Sequence, residues 1–255
     1  MLNKKLTKNS LTALAMMSAM AFSSTSSAAL LSYSQNWEGV NPATDTVIGD
    51  GFIIGNINVG TGGAWFENFA APNSPAIGQN GYSAFVTGEG GVDQGNNQLS
   101  VFSDYNSWSP FTAGGVTLQT YTYRNNGTIG LDDVGMTYRF AFDGKLNGAT
   151  DAWAFVKVLK QSDNSYIELA NNTFDSTTLA GGWGGGFVDL TIDAGMVGEL
   201  VQFGFANEAF DWGPSGVFYD NLNFAEVSAV PVPAAVWLFG SGLLGLVGVA
   251  RRKKS

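Results

Sequence analysis

Between residues 30 and 229, apolar side chains recur at every second position in short runs, and each run ends in a cluster of Gly, Asn or Asp. This is the repeat of a strand with one buried face, and no amphipathic helical stripe accompanies it. In residues 137–143, Tyr138, Phe140 and Phe142 alternate with Arg139, Ala141 and Asp143. Residues 187–193 turn Val188, Leu190 and Ile192 to one side, and residues 199–206 do the same with Val201, Phe203 and Phe205. Residues 118–124, 152–159 and 216–224 read similarly, which assigns Trp153 to the core. Asn125-Asn126-Gly127 reads as a turn with positive φ at its glycine. The 200 residues from 30 to 229 form one domain with no internal repeat and no interior linker. Many short strands at this spacing predict an all-β fold, a jelly-roll sandwich rather than a barrel or a parallel β-helix.

The two ends follow other rules. Residues 1–29 carry Lys4, Lys5 and Lys8, an apolar run over 11–22, and small residues closing in Ser26-Ser27-Ala28-Ala29. That is the pattern of a secretory signal peptide, with cleavage after Ala28 or Ala29. Residues 230–255 open with Val-Pro-Val-Pro, continue uncharged from 234 to 250, and end in Arg251-Arg252-Lys253-Lys254 before Ser255. Seventeen residues at about 1.5 Å each span roughly 25 Å, the short limit for a transmembrane helix. The basic cluster stays cytoplasmic under the positive-inside rule, which leaves residues 30–229 on the far side.

The tail Val-Pro-Val-Pro-Ala-Ala-Val-Trp-Leu-Phe-Gly-Ser-Gly-Leu-Leu-Gly-Leu with its terminal Arg-Arg-Lys-Lys resembles the PEP-CTERM sorting signal of exopolysaccharide-producing Gram-negative bacteria. Val232 stands where the motif that names the family has Glu. The resemblance implies an exosortase as sorting partner, a membrane-anchored stage, and delivery to the cell surface or extracellular matrix.

Composition then removes whole chemistries. The chain has no Cys and no His, so thiolate and imidazole catalysis, disulfides and zinc knuckles are all excluded. An exported chain of this kind holds together by its core alone. Between the basic ends lie five Lys and Arg against 21 Asp and Glu, a formal charge of −16. Such a surface repels phosphate backbones, and nucleic acid is excluded as a partner. Dense carboxylate does suit calcium, which takes oxygen ligands, and it equally suits plain solubility.

The order of segments in the second half is also recognisable. Val134-Gly-Met-Thr-Tyr-Arg-Phe-Ala-Phe-Asp143, Ala152-Trp-Ala-Phe-Val-Lys-Val158, Val201-Gln-Phe-Gly-Phe205 and Gly216-Val-Phe-Tyr-Asp-Asn-Leu-Asn-Phe224, with Asn36-Trp-Glu-Gly39 near the front, resemble the galactose-binding-like jelly rolls that include many carbohydrate-binding modules. There the first and last strands lie side by side and often share a structural calcium. The resemblance nominates Glu38 and Asp220 as the metal carboxylates, completed by backbone carbonyls and water.

Sugar sites pair aromatic faces with amides and carboxylates. Trp65, Trp108, Trp183 and Trp212 fall in Gly-, Asn- and Ser-rich stretches that read as loops, where a ring serves either as a sugar platform or as a lid on the sandwich. Trp108 leads as a ligand-binding candidate because Asp104 and Tyr105 sit beside it; Trp65 and Trp212 follow. Residues 87–98, with Glu89 and Asp93 among glycines, read as a metal loop, a sugar rim, a glycosidase acid and base, or a plain flexible turn. Gly-x-Gly-x-x-Gly spacings carry no signal in a chain with 34 Gly and no strand-to-helix context. The expectation is a non-catalytic surface or matrix protein that binds extracellular polysaccharide. Its alternatives are a carboxylate-dependent glycoside hydrolase or lyase, and a structural protein without ligand.

Overall fold

The alternation becomes twelve strands in a computed structural model that describes residues 30–58, 65–67, 83–103, 117–210 and 215–227. In chain order they are β1 (Tyr33–Gln35), β2 (Ile53–Asn58), β3 (Trp65–Glu67), β4 (Ser83–Thr87), β5 (Asn97–Ser103) and β6 (Thr117–Thr128). There follow β7 (Thr137–Asn147), β8 (Asp151–Leu159), β9 (Glu168–Asp175), β10 (Gly184–Thr191), β11 (Leu200–Phe210) and β12 (Ser215–Glu226). The only helical turns among the described residues are short 3-10 turns at Leu131–Asp133, Ser176–Thr178 and Ala194–Met196. No helix among these residues is long and apolar enough to cross a membrane. The signal peptide and the membrane-spanning tail lie outside the described residues.

The first sheet runs β10-β7-β12-β5-β4, with β1 also paired to β12; the second runs β3-β2-β6-β11-β8-β9. All pairings between named strands are antiparallel. Strands β5, β7, β10 and β12 belong to the first sheet and β6, β8, β9 and β11 to the second, so the chain passes repeatedly between the two layers. The result is an all-β sandwich. Its first and last described strands lie together through Tyr33↔Phe224, Ser34↔Asn223 and Gln35↔Leu222.

Aromatic rings fill the space between the sheets. Phe203 stacks on Phe224 at 4.9 Å and touches Phe140 at 4.8 Å, while Phe205 stacks on Tyr219. All five are fully buried. Each such burial contributes roughly 1.5 to 3 kcal/mol, which lets the domain dispense with disulfides. Large residues on β11 face small ones on β8: Phe205 is paired with Ala154 and Phe203 with Val156. That size match corrects the reading of Trp153. Ala152, Ala154, Val156 and Val158 face the core, so Trp153 and Phe155 are turned to the outer face, where they join a second apolar cluster with Tyr121, Tyr123, Ala206 and Ile53.

The turn expected at Asn125-Asn126-Gly127 is a second correction, because β6 continues through Thr128. Gln202 pairs with Asn125 and Leu200 with Thr128, leaving Asn126 and Gly127 opposite Val201 alone. The positive φ belongs to a β-bulge, where Gly127 has φ 100°. An added Cβ there would meet nothing within 4 Å. Gly127→Ala is therefore expected to cost about 1 to 2 kcal/mol through backbone strain alone, read as a lower urea midpoint at unchanged slope.

Candidate functional site

Two built features lie on opposite sheets. The first is a nest of carboxylates and amides where the turn after β1 meets β12. Asp220 is fully buried, and its Oδ1 accepts the Asn221 N–H at 2.6 Å. Its Oδ2 is buried with no hydrogen-bond partner, a costly state for a carboxylate oxygen. Burial first, then the nearby charges of Glu38 and Asp143, push its pKa up to about 7, against the pull of the Asn221 N–H and, less, of the Gln98 side chain. None of these groups is in an ion pair among the described residues, where the four pairs join Arg139 to Asp189, Lys145 to Glu89, Lys157 to Glu168 and Lys160 to Asp163.

The local backbone is shaped for this crowding. Glu38 Oε1 accepts the N–H groups of Asn96 and Asn97, both at 2.8 Å, which fixes its carboxylate against Gly95. Gly95 has φ 59°, and any Cβ there would meet the Glu38 carboxylate carbon at 2.5 Å. Trp37 and Asn221, the neighbours of Glu38 and Asp220, hold φ values of 53° and 49°. A left-handed Trp is a strained choice, retained here by complete burial and by its indole N–H donating to Asp50 Oδ2 at 3.2 Å. Asp143 Oδ2 accepts from Gln94 Nε2 at 2.9 Å and from Asn221 Nδ2 at 2.8 Å.

Residues 87–98 are clamped onto this sheet rather than free. Lys145 Nζ donates to Glu89 O at 2.8 Å and to Glu89 Oε2 at 2.9 Å, and the Trp183 indole N–H donates to Glu89 O at 2.9 Å. Asn221 Nδ2 also donates to Asp93 O at 3.0 Å. Trp183 is thus a lid over the loop. Glu89 is tied to Lys145.

The second feature is a trough on the outer face of the second sheet. Tyr121 on β6 makes edge contacts at 6.0 Å with both Trp153 and Phe155 of β8, and Lys157 Nζ lies 4.8 Å from the Phe155 ring and 5.1 Å from Tyr121. Lys157 is paired with Glu168 at 2.7 Å. Two adjoining cavities share Tyr121, Lys157 and Glu168 in their walls. One, of about 820 Å³, extends past Ile53, Tyr123 and Phe155 to Tyr166, Gln161 and Gln202. The other, of about 530 Å³, is lined by Trp153, Asp151, Asn171, Thr173 and Asp175. Desolvation, with the charges of Glu168 and Glu208, pushes the Tyr121 hydroxyl up to about 12, so it stays protonated and donates to Gln119 Oε1 at 3.0 Å.

Of the residues singled out from sequence, Glu38 lies in the turn after β1 and Asp220 at the β12 bulge, and the fold brings both to the nest. Asp220 is buried. Among the described residues no three His, Cys, Asp or Glu side chains come together as a metal-holding group. Trp65 is not in a loop: it pairs with Ile57 in β3, at the edge of the second sheet. Asp104, Tyr105, Trp108 and Trp212 lie outside the described residues. The trough residues were passed over, although one strand carried the signal. Trp153, Phe155 and Lys157 share one side of β8 while only Ala and Val occupy the other.

No protein-family model matches the chain, and no curated protein matches it. Among solved structures, an apo cyclase from Fischerella sp. aligns at 12% identity over 69% of this chain and 83% of its own, with a TM-score of 0.44. A xylan-binding domain from Paenibacillus barcinonensis aligns at 11% identity over 79% and 98%, with a TM-score of 0.38. A carbohydrate-binding module in complex with β-1,4-galactotriose aligns at 14% identity over 56% and 81%, with a TM-score of 0.34. Likenesses at this level bear on neither activity nor ligand.

Proposed function

We propose that the chain is an exported, non-catalytic polysaccharide-binding protein whose ligand lies in the trough of the second sheet. One observation carries this reading: the half-buried rings of Tyr121 and Trp153, backed by the buried Phe155, lie along two adjoining cavities rimmed by amides and carboxylates. Aromatic faces stack on the apolar side of pyranose rings, and Gln119, Gln161, Gln202 and Asn171 offer hydrogen bonds to hydroxyls. Asp151, Asp175, Glu168 and Glu208 stand around it against Lys157 alone, itself paired. That balance favours a neutral polymer over a uronate or sulfated one. The described carboxylate with a raised pKa, Asp220, sits on the other sheet, which supports binding over glycoside hydrolysis.

The strand order β5-β12-β7-β10 against β6-β11-β8-β9 supports a jelly roll. Its calcium would be held by Glu38 and Asp220, a role supported by the orphaned Asp220 Oδ2 and by the fact that no ion pair among the described residues includes either carboxylate. Bound there, calcium supplies the positive charge that the nest lacks and ties the turn after β1 to β12. Export by the signal peptide, membrane anchoring by the tail and sorting by an exosortase to the surface or matrix complete the proposal.

The test is affinity electrophoresis of the exported protein in gels of neutral and of acidic polysaccharides. Retardation by at least one neutral polymer and by no uronate polymer is the expected pattern. Unchanged mobility across the whole panel would reduce the domain to a structural matrix element.

A further inference from the structure

Asp133 closes the 3-10 turn at Leu131–Asp133 and is fully buried. Its Oδ2 accepts the Gly130 N–H at 2.7 Å, and its Oδ1 accepts the Tyr138 hydroxyl at 2.5 Å. The third donor is the backbone nitrogen of Leu30, 3.0 Å from Oδ1. A buried carboxylate calls for a cation, and none of the ion pairs among the described residues includes Asp133. Leu30 is held in place on the C-terminal side of that nitrogen. Its side chain is 7% exposed and packs in the core, and the next carbonyl, that of Leu31, accepts from Asn126 Nδ2 at 2.9 Å.

Leu30 directly follows Ala29, one of the two residues after which the leader is expected to be cut. We infer that the mature chain begins at Leu30 and that its α-ammonium is the counter-ion of Asp133. Hydrolysis breaks the Ala29–Leu30 amide bond: the hydroxyl of water joins the Ala29 carbonyl carbon and its proton the Leu30 nitrogen. At neutral pH the new acid releases a proton and the new amine takes one. The hydrogen bond to Asp133, neutral on its donor side in the precursor, becomes a bond between opposite charges and stronger. A cut after Ala28 has the opposite result, leaving an amide at Leu30 and putting the ammonium one residue, about 3.8 Å of chain, further back. Removal of the leader is in this way coupled to completion of the fold, and the buried carboxylate distinguishes two cuts that the small-residue rule leaves equal.

The inference rests on the signal-peptide reading, and one experiment separates the two. The full chain is exported from a Gram-negative host, and the N-terminal peptide of the product is identified by mass. The intact product is then dimethylated with formaldehyde and cyanoborohydride, native and denatured. Expected are a first residue of Leu30 and an α-amine modified at least tenfold more slowly in the native protein. Asp133→Asn should keep the same N-terminus and lose the protection; if that variant does not fold, the comparison of native and denatured wild type stands by itself. An uncut chain overturns the signal-peptide reading and the inference together. A mature chain starting elsewhere, or a Leu30 amine equally reactive in both states, overturns the inference alone.

Discussion

Without calcium at pH 7.5, the Asp220→Asn protein is expected to be more stable than wild type, by on the order of 4 kcal/mol at most. The reason is the orphaned carboxylate. Folding raises the Asp220 pKa from 3.8 to about 7, so the folded chain binds its proton more tightly than the unfolded one. About three units at 1.36 kcal/mol each set the scale. This favourable contribution is complete below about pH 3.8, shrinks as pH rises toward 7, and is gone above it. Chelated wild type should therefore gain stability on acidification from pH 7 to 5. The chain has no His, and Asp163, Asp189 and Glu199 have lowered pKa values from bonds to Lys160, Arg139 and Ser162. Stability from those three is present above their unfolded values and is lost only at lower pH.

Calcium should reverse the trend, because it competes with the proton for the same oxygens. Stabilisation by a ligand at a hundred times its dissociation constant is about 2.7 kcal/mol, and here it should be larger at pH 7 than at pH 5. Asp220→Asn should abolish both the calcium response and the acid gain. The measurement is urea unfolding of the exported protein at pH 5 and 7, with calcium and with chelator. A wild type whose midpoint responds to neither would remove the metal and leave Asp220 as a buried acid.

The strands were legible because each carries its own record: Tyr138, Phe140 and Phe142 face the core as their alternation requires. What a single strand does not record is which of its faces lies inward. On β8 the bulky face reads as core until Phe203 and Phe205 of β11 occupy that space, leaving room only for Ala154 and Val156. The bulge at Gly127 is likewise a property of a strand pair, and Asn-Asn-Gly alone reads as a turn. The nest was partly legible, since a resemblance supplied Glu38 and Asp220. Gln94 and Asp143 join it from 49 residues apart, so only the folded register brings them together. The trough was legible only in the bulky face of β8; its other walls come from strands that the sheet order β2-β6-β11-β8-β9 brings beside it.

Polysaccharide binding should fail before stability does when Trp153 is replaced by Ala. Trp153 is half-buried on the outer face and packs on the edge of Tyr121, so its loss leaves no enclosed cavity. A stability cost below about 2 kcal/mol is expected, against about 3 to 5 for Phe155→Ala, whose ring is 1% exposed. Retention by the polymer should weaken at least tenfold, equal to 1.4 kcal/mol. Tyr166 offers an independent probe at the far cavity. It is 54% exposed with φ 50°, so Tyr166→Gly relieves strain while removing a ring from the wall. If one chain occupies both cavities, both variants should weaken a long polymer. A short oligosaccharide that fills one cavity should feel only one of them. Full retention by Trp153→Ala and Tyr166→Gly together would place the ligand away from this face, and would return attention to Trp65 at its edge and to Trp108 and Trp212.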